Sequence, residues 1–406
     1  AGMVLLPFIH LFMKNNSYPL TYIRILYAMW LLRTVLSYLL TYRKSLLIAD
    51  QKEYIASIAG LILNITSYGA IILLVTYTQR YLTALAFNIV VEVLLNLWIS
   101  WYVEKKYPFL HEMRKEKSSP HLTSRIMKDL KSLFISRVSE KMLNCTDNLI
   151  ISGFIGVATV GRYANYSMIT QAIINILTIL ANTIQPTIGD YFTEKNYRRN
   201  YEILRQITFV FFGISSVVAV GLFSLITPFV CDIWLGPSYE LGWGTAVLCI
   251  VVLMVRIMGL PLNMVMGVTG LFEKEKNVGA SSAILNLVVS LALVKPYGMT
   301  GVLLGTLVSY LLQICYRYII FFRDFLQMRE EALRYARDLG EYLAVMAAEV
   351  ALMQKVVPIV YGNGGMVLFC ICFLLCILVP LALDAVFFGR GWRLQSIVRM
   401  VRGMRR

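Results

Sequence analysis

Runs of about twenty apolar residues recur along this chain, and no other feature constrains its fold as tightly. Twelve such runs are read across 406 residues, at about 1–13, 20–42, 54–77, 81–103, 132–155, 162–188, 203–227, 245–268, 278–294, 301–322, 341–360 and 364–388. In hydrocarbon, every backbone polar group must find a partner inside the protein, which leaves only helices or closed barrels. The residue-by-residue alternation of a barrel strand is absent. The expected fold is an all-α polytopic membrane protein with about 12 transmembrane helices. Composition supports this: 15% of residues are charged, against about 25% in a soluble domain. The first run is short and contains Pro7, and the chain begins at Ala1. With no charged leader and no cleavage site it does not read as a signal peptide, and the chain reads as starting inside a longer protein.

The net charge of +15, from 38 Lys+Arg against 23 Asp+Glu, would suggest nucleic acid in a soluble chain. Here its distribution speaks for a membrane instead. Alternate connections hold 26 basic residues, among them Arg43, Lys44, Lys105, Lys106, Arg198 and Arg199, while the opposite connections hold only Lys14, Arg80, Arg162 and Lys295. Positive charge collects on the cytoplasmic side. Both ends of this chain are therefore expected in the cytoplasm, and no nucleic-acid partner is expected.

The connections leave little room for catalysis. The longest, 104–131, is charged, is broken by Pro108 and Pro120, and reads as a cytoplasmic linker. No outside loop can house an enzyme domain. No GxxxxGK[ST] loop is present, so the chain does not hydrolyse ATP itself. Histidine is confined to His10, His111 and His121, so no His-ligated metal site is expected. The seven cysteines are scattered and read as small apolar residues.

Polar residues inside the spans carry the functional signal, because charge at mid-bilayer costs several kcal/mol, of order 2.5 to 3.5 on insertion scales. The span 132–155 places Arg137, Glu140, Lys141, Asn144, Asp147 and Asn148 on one helical face at spacings of three, four and seven. It reads either as the wall of a wet path or as internal ion pairing, Arg137 with Glu140 or Lys141 with Asp147. Gln171, Asn175 and Asn182 make a stripe in 162–188, and Asn88, Glu92 and Asn96 another in 81–103. Thr306, Ser309, Gln313 and Arg317 make a third. The uncharged Asn, Gln and Ser members of these stripes serve equally well as helix–helix hydrogen bonds. Arg24 and Arg317 lie near span ends, where they can also snorkel to headgroups. Arg256 sits mid-span, just before Pro261. Intramembrane bases outnumber acids, which suits an anionic substrate. The guanidinium fork suits phosphate in particular.

The stretch from Asp147 to Tyr166, DNLIIS then G then VGRYANY, resembles the TDxxIIS…G…VGxYxNY signature of the polysaccharide flippases, within the multidrug/oligosaccharidyl-lipid/polysaccharide exporter superfamily. RKSLLIADQKEY at 43–54, the RxxGxPxN…TGLF pattern from Arg256 to Phe272, and NLVVS…GMTGVLLGTLVSY from Asn286 to Tyr310 are similar to further family segments. The resemblance implies two six-helix lobes and a C-terminal helix pair. Mapped here, it gives an N-terminal lobe at 1–103 with four helices, lacking the family's first two. The linker at 104–131, a six-helix lobe at 132–322, the helix pair at 323–388 and a basic amphipathic tail at 389–406 follow.

The resemblance implies translocation of undecaprenyl-diphosphate-linked oligosaccharide repeat units across the bacterial cytoplasmic membrane by alternating access. Arg137, Lys141, Arg256, Arg24 and Arg317 are then the candidates to meet diphosphate or acidic sugars. Asp147, Glu140 and Glu92 are the candidates to couple to H+ or Na+. Asn144, Asn148, Asn96, Asn175, Gln171, Asn182 and Gln313 would line the polar path. No metal or other cofactor is expected. Membrane lipids and polysaccharide polymerase or assembly proteins are the expected partners. The tail reads either as an interfacial helix on anionic lipid or as plain positive-inside charge. A multidrug or organic-ion antiporter of the same superfamily is the main alternative; a membrane glycan polymerase or ligase would need the large outside loop that is missing.

Overall fold

The computed structural model describes residues 3, 6–9, 19–41, 46–47, 50, 52–109, 127, 145–193, 196–269, 271–362 and 364–389. These residues are helical with no strand among them. The chain divides into two compact units, Ala1–Lys131 and Ser132–Arg406.

In the first unit, α1 (Leu20–Thr41), α2 (Glu53–Thr78) and α3 (Tyr81–Lys106) pack as a short bundle, with α3 touching both others. The α2–α3 turn is tight. Gln79 takes a left-handed conformation (φ 51°) and donates its N–H to the Val75 carbonyl, closing the end of α2. On α2, Ile58, Leu61, Ile62, Ile65, Ile72 and Leu73 are exposed, as lipid-facing residues must be. Outside the spans, Tyr107 donates to Asp50 at 2.5 Å, beside Lys52. Hydrogen bonds from Lys52 and then Tyr107 hold the Asp50 carboxyl below its ordinary range, and the bond to Asp50 raises the Tyr107 phenol.

The second unit is built around α6 (Trp243–Val268), which packs on α4 (Val157–Thr193), α5 (Tyr197–Pro228) and α7 (Phe272–Ile319). Its sequence is apolar nearly all round, with Arg256 its one charged residue, which explains why it takes the central place. Residues 145–154, also helical, precede α4. α7 is a helical hairpin. It reverses at Gly298 (φ 58°, ψ −135°), just after Pro296. α8 (Arg329–Tyr361) and α9 (Met366–Phe388) pack on each other and on α5. α8 buries Tyr335, Asp338, Tyr342, Met346, Glu349, Met353 and Val357, a repeat of three and four. α9 buries Cys372, Cys376, Pro380, Asp384 and Phe388, every fourth residue.

Eight helices among the described residues are long and apolar enough to cross a membrane, so the chain is a multi-pass membrane protein. The expected count of about twelve is not confirmed. Most of the run at 1–13 and most of that at 132–155 lie outside the described residues. α1, interrupted by Arg24 and Arg33, is helical but not among the eight. The runs 278–294 and 301–322 form one continuous element folded at Gly298. The sequence also starts the penultimate span at 341, whereas α8 begins at Arg329. Its first turns are charged and amphipathic, and they are held against α5 by Arg205 to Asp338 (2.5 Å) and by the Thr208–Tyr335 hydroxyl pair (3.0 Å).

Candidate functional site

The site grows from the α7 hairpin. Gly301 and Gly305 face the first arm so closely that an added Cβ would lie 2.2 Å from the Leu293 carbonyl oxygen and 2.2 Å from Ser290 Oγ. Small residues four apart allow two helices this approach. The approach brings polar groups of the two arms together. Ser290 Oγ donates to the Val302 carbonyl (3.1 Å), and Asn286 Nδ2 donates to Thr306 Oγ1 (2.9 Å).

Asp147, on the helical 145–154 segment, meets this seam. Thr306 Oγ1 donates to its carboxyl, 2.8 Å from Oδ2 and 3.0 Å from Oδ1, and Asn286 also reaches the carboxyl. Thr146 Oγ1 donates to Asn286 Oδ1 at 3.1 Å. Asp147, Asn286 and Thr306 are all buried. The result is an oxygen-rich, mutually oriented polar chain inside a membrane-spanning bundle.

Asp147 and Thr306 line a cavity of about 40 Å³ together with Tyr163, Thr170, Gln171 and Cys249, and with Arg256 and Tyr310 on its wall. The Arg256 guanidinium lies over the Tyr310 ring, 5.3 Å from its centroid, and reaches Gln171 Oε1 at 3.5 Å. A water occupies about 30 Å³ of liquid. The cavity in this conformation is therefore of a size for ordered waters or an ion.

Of the candidate residues, Asp147, Gln171 and Arg256 share this cavity. Asn148, Asn175 and Asn182 are exposed, while Gln313 and Arg317 are half-buried outside the lining. In the first unit, Glu92 Oε2 accepts from Arg33 Nε at 2.6 Å, Asn96 is half-buried and Arg24 is exposed. Arg137, Glu140, Lys141 and Asn144, and the tail from 390 to 406, lie outside the described residues. Among the described residues, then, the cavity carries one acid and one base. Sequence reasoning missed Tyr163, Thr170 and Tyr310, and gave Asn286 no role. The readable signal was the Gly301-x-x-x-Gly305 spacing, which announces a close helix pair and draws attention to polar residues facing it.

Residues 1–192 match the family described as Polysaccharide biosynthesis protein. No curated protein matches the chain. Among solved structures, the fold matches the lipid II flippase MurJ in its inward closed conformation, with a TM-score of 0.67 at 15% identity. That match covers 96% of this chain and 80% of the other. Residues 1–192, a little under half of the chain, thus resemble that family, and nearly the whole chain shares a fold with the flippase.

Proposed function

We propose that the chain is a transporter, not a catalyst, that flips undecaprenyl-diphosphate-linked oligosaccharide units across the cytoplasmic membrane of a bacterium, with both chain ends in the cytoplasm. The reading is carried by one observation: a buried carboxyl and a half-buried guanidinium line the same cavity, in a fold shared with a lipid II flippase. Arg256 is the anion-binding group. Its fork can take two phosphate oxygens at once, and Tyr310 and Gln171 hold it in place meanwhile. Asp147 is the coupling group. Its carboxylate and the Thr306 hydroxyl, oriented by the Asn286 amide N–H, offer oxygen atoms suited to H+ or Na+. Moving one charge through 100 mV supplies about 2.3 kcal/mol, enough to bias turnover. The small cavity must widen for substrate, as alternating access requires. Membrane lipids and polysaccharide assembly proteins are the partners this reading implies.

The test is flipping of lipid-linked oligosaccharide by the protein in liposomes, under imposed H+ or Na+ gradients. Arg256→Ala should weaken substrate binding about 10-fold to 100-fold, the loss of one charged hydrogen-bonding group worth about 1.5–3 kcal/mol. Arg256→Lys should recover part of it. Asp147→Asn should abolish the response to the gradient while substrate still binds. Wild-type rates in both Arg256→Ala and Asp147→Asn would overturn the assignment.

A further inference from the structure

A second group of buried acids lies where α5, α8 and α9 meet, apart from the cavity described above. Glu349 of α8 is 1% exposed and Asp384 of α9 is 7% exposed. The two carboxyls lie close enough to interact with each other. Ser216 of α5, fully buried, donates to Glu349 Oε2. Glu349 Oε1 and both Asp384 oxygens meet no other hydrogen-bonding group. Asp384 packs beside Gly213 of α5, where an added Cβ would come within 4.0 Å of Oδ2.

The surroundings are dry on both sides. One to two turns along each helix in one direction, Phe209, Phe212, Tyr342 and Phe388 close the seam with a ring cluster. Phe212 and Tyr342 stack at 4.5 Å, and Phe388 stands edge-on to Tyr342 at 5.7 Å. In the other direction Val220, Met353 and Cys376 pack together. The other titratable groups facing the seam are Tyr342 on α8 and Cys376 on α9. The nearest cation on α5, Arg205, is engaged by Asp338, and Lys355 on α8 is exposed. Among the described residues no Lys or Arg pairs with either carboxyl.

Two facing carboxylates buried this deeply do not both ionise, because their repulsion is not offset by a paired cation among the described residues. We infer that Glu349 and Asp384 form a proton-binding site, one proton shared between two carboxyls, that holds α8 and α9 on α5. The bound proton supplies the missing donor: one carboxyl O–H donates to an oxygen of the other, and Ser216 supports the accepting pair. Its release to water raises the charge of the pair from −1 to −2, and the seam is pushed apart. A proton needs only these two carboxyls. Three side chains are a thin shell for a bare metal cation.

The full chain in lipid nanodiscs, without substrate, tests this by infrared spectroscopy and by melting temperature across pH. The wild type should show the carbonyl stretch of a protonated carboxyl at neutral pH and lose melting temperature towards alkaline pH. Asp384→Asn keeps the shape and gives Glu349 an amide donor. It should remove the alkaline fall, and Glu349→Gln with Asp384→Asn should remove the infrared band as well. An unchanged band and an unchanged alkaline profile in the double variant would overturn the inference. So would a wild-type melting temperature that responds to Na+ but not to pH. Should the double variant fail to fold, a wild-type spectrum with no protonated carboxyl at neutral pH overturns the site on its own.

Discussion

Asp147 and the Glu349–Asp384 pair are buried acids in the same helical unit, but their surroundings provide for them differently. Asp147 takes a hydroxyl donor on its carboxyl, sits in a chain of four polar side chains, and faces a cavity with an arginine on its wall. The pair has one hydroxyl between two carboxyls, no cation partner among the described residues, and aromatic and aliphatic side chains above and below. A buried charge persists when donors and counter-charge replace the lost water; without them it gives way to the neutral form. The first arrangement suits a group that exchanges an ion with a wet path. The second suits a group that keeps its proton and uses it for adhesion. Depth alone does not separate them, since all three acids are buried.

The sharpest way to break this comparison is to disrupt one seam and watch the other. Gly301→Ala places a Cβ against the Leu293 carbonyl, which is backbone and cannot swing aside. The α7 hairpin must open, and Asn286 and Thr306 move away from Asp147. Overpacking of this kind costs about 3 kcal/mol at its upper usual range. The expected result is a large fall in melting temperature and loss of ion response in liposomes, with the alkaline limb due to Glu349 and Asp384 still present. If that limb vanishes too, the seams are one cooperative structure and the comparison fails.

Much of this architecture was legible beforehand, and the reason is the bilayer. Long apolar runs and alternating basic loops are imposed by the membrane on any chain that crosses it, so α2, α3, α6 and α9 could be placed within a few residues. Asp147 and Arg256 stood out because charge mid-span is costly, and the structure puts them on one cavity. What could not be read was who meets whom. Asp384 is the lone acid of an otherwise apolar helix and lies near its end, where it passes for an interfacial residue. Glu349 has no charged neighbour within a turn on α8. Only the packing of α8 and α9 on α5 brings them together, and no periodicity within one helix encodes that. Asn175 and Asn182 show the converse: a regular polar stripe on α4 that the fold leaves exposed.

A smaller change sharpens the account of Asp147. Thr306→Val keeps the side-chain shape and removes the donor. Asn286 loses an acceptor at the same time and can turn fully to the carboxyl. The net cost should fall near the lower end for a charge-linked hydrogen bond, about 1.5 kcal/mol. It is read as a modest fall in melting temperature and a weaker response to the ion gradient. The variant should leave the alkaline profile of the pair alone. A loss as large as that of Gly301→Ala would mean that the hydroxyl, and not the close approach of the arms, holds the seam.

The smallest effect belongs to a fourth acid, Asp50, which is exposed and completes the comparison. Its bonds from Lys52 and Tyr107 keep the carboxyl ionised to lower pH than its ordinary value of 3.8. A depressed value in the folded state means that the contacts stabilise above the unfolded value and fade as pH falls through the folded one. Tyr107→Phe removes one donor. It should lower the melting temperature slightly at neutral pH and not at all once Asp50 is protonated, the reverse of the alkaline loss expected for Glu349 and Asp384. Solvent screens this exposed contact, so the change should be smaller than that of either buried seam. A Tyr107→Phe effect that matches Thr306→Val, or that persists in acid, would show that the ring's packing carries the contact and that the carboxylate does not.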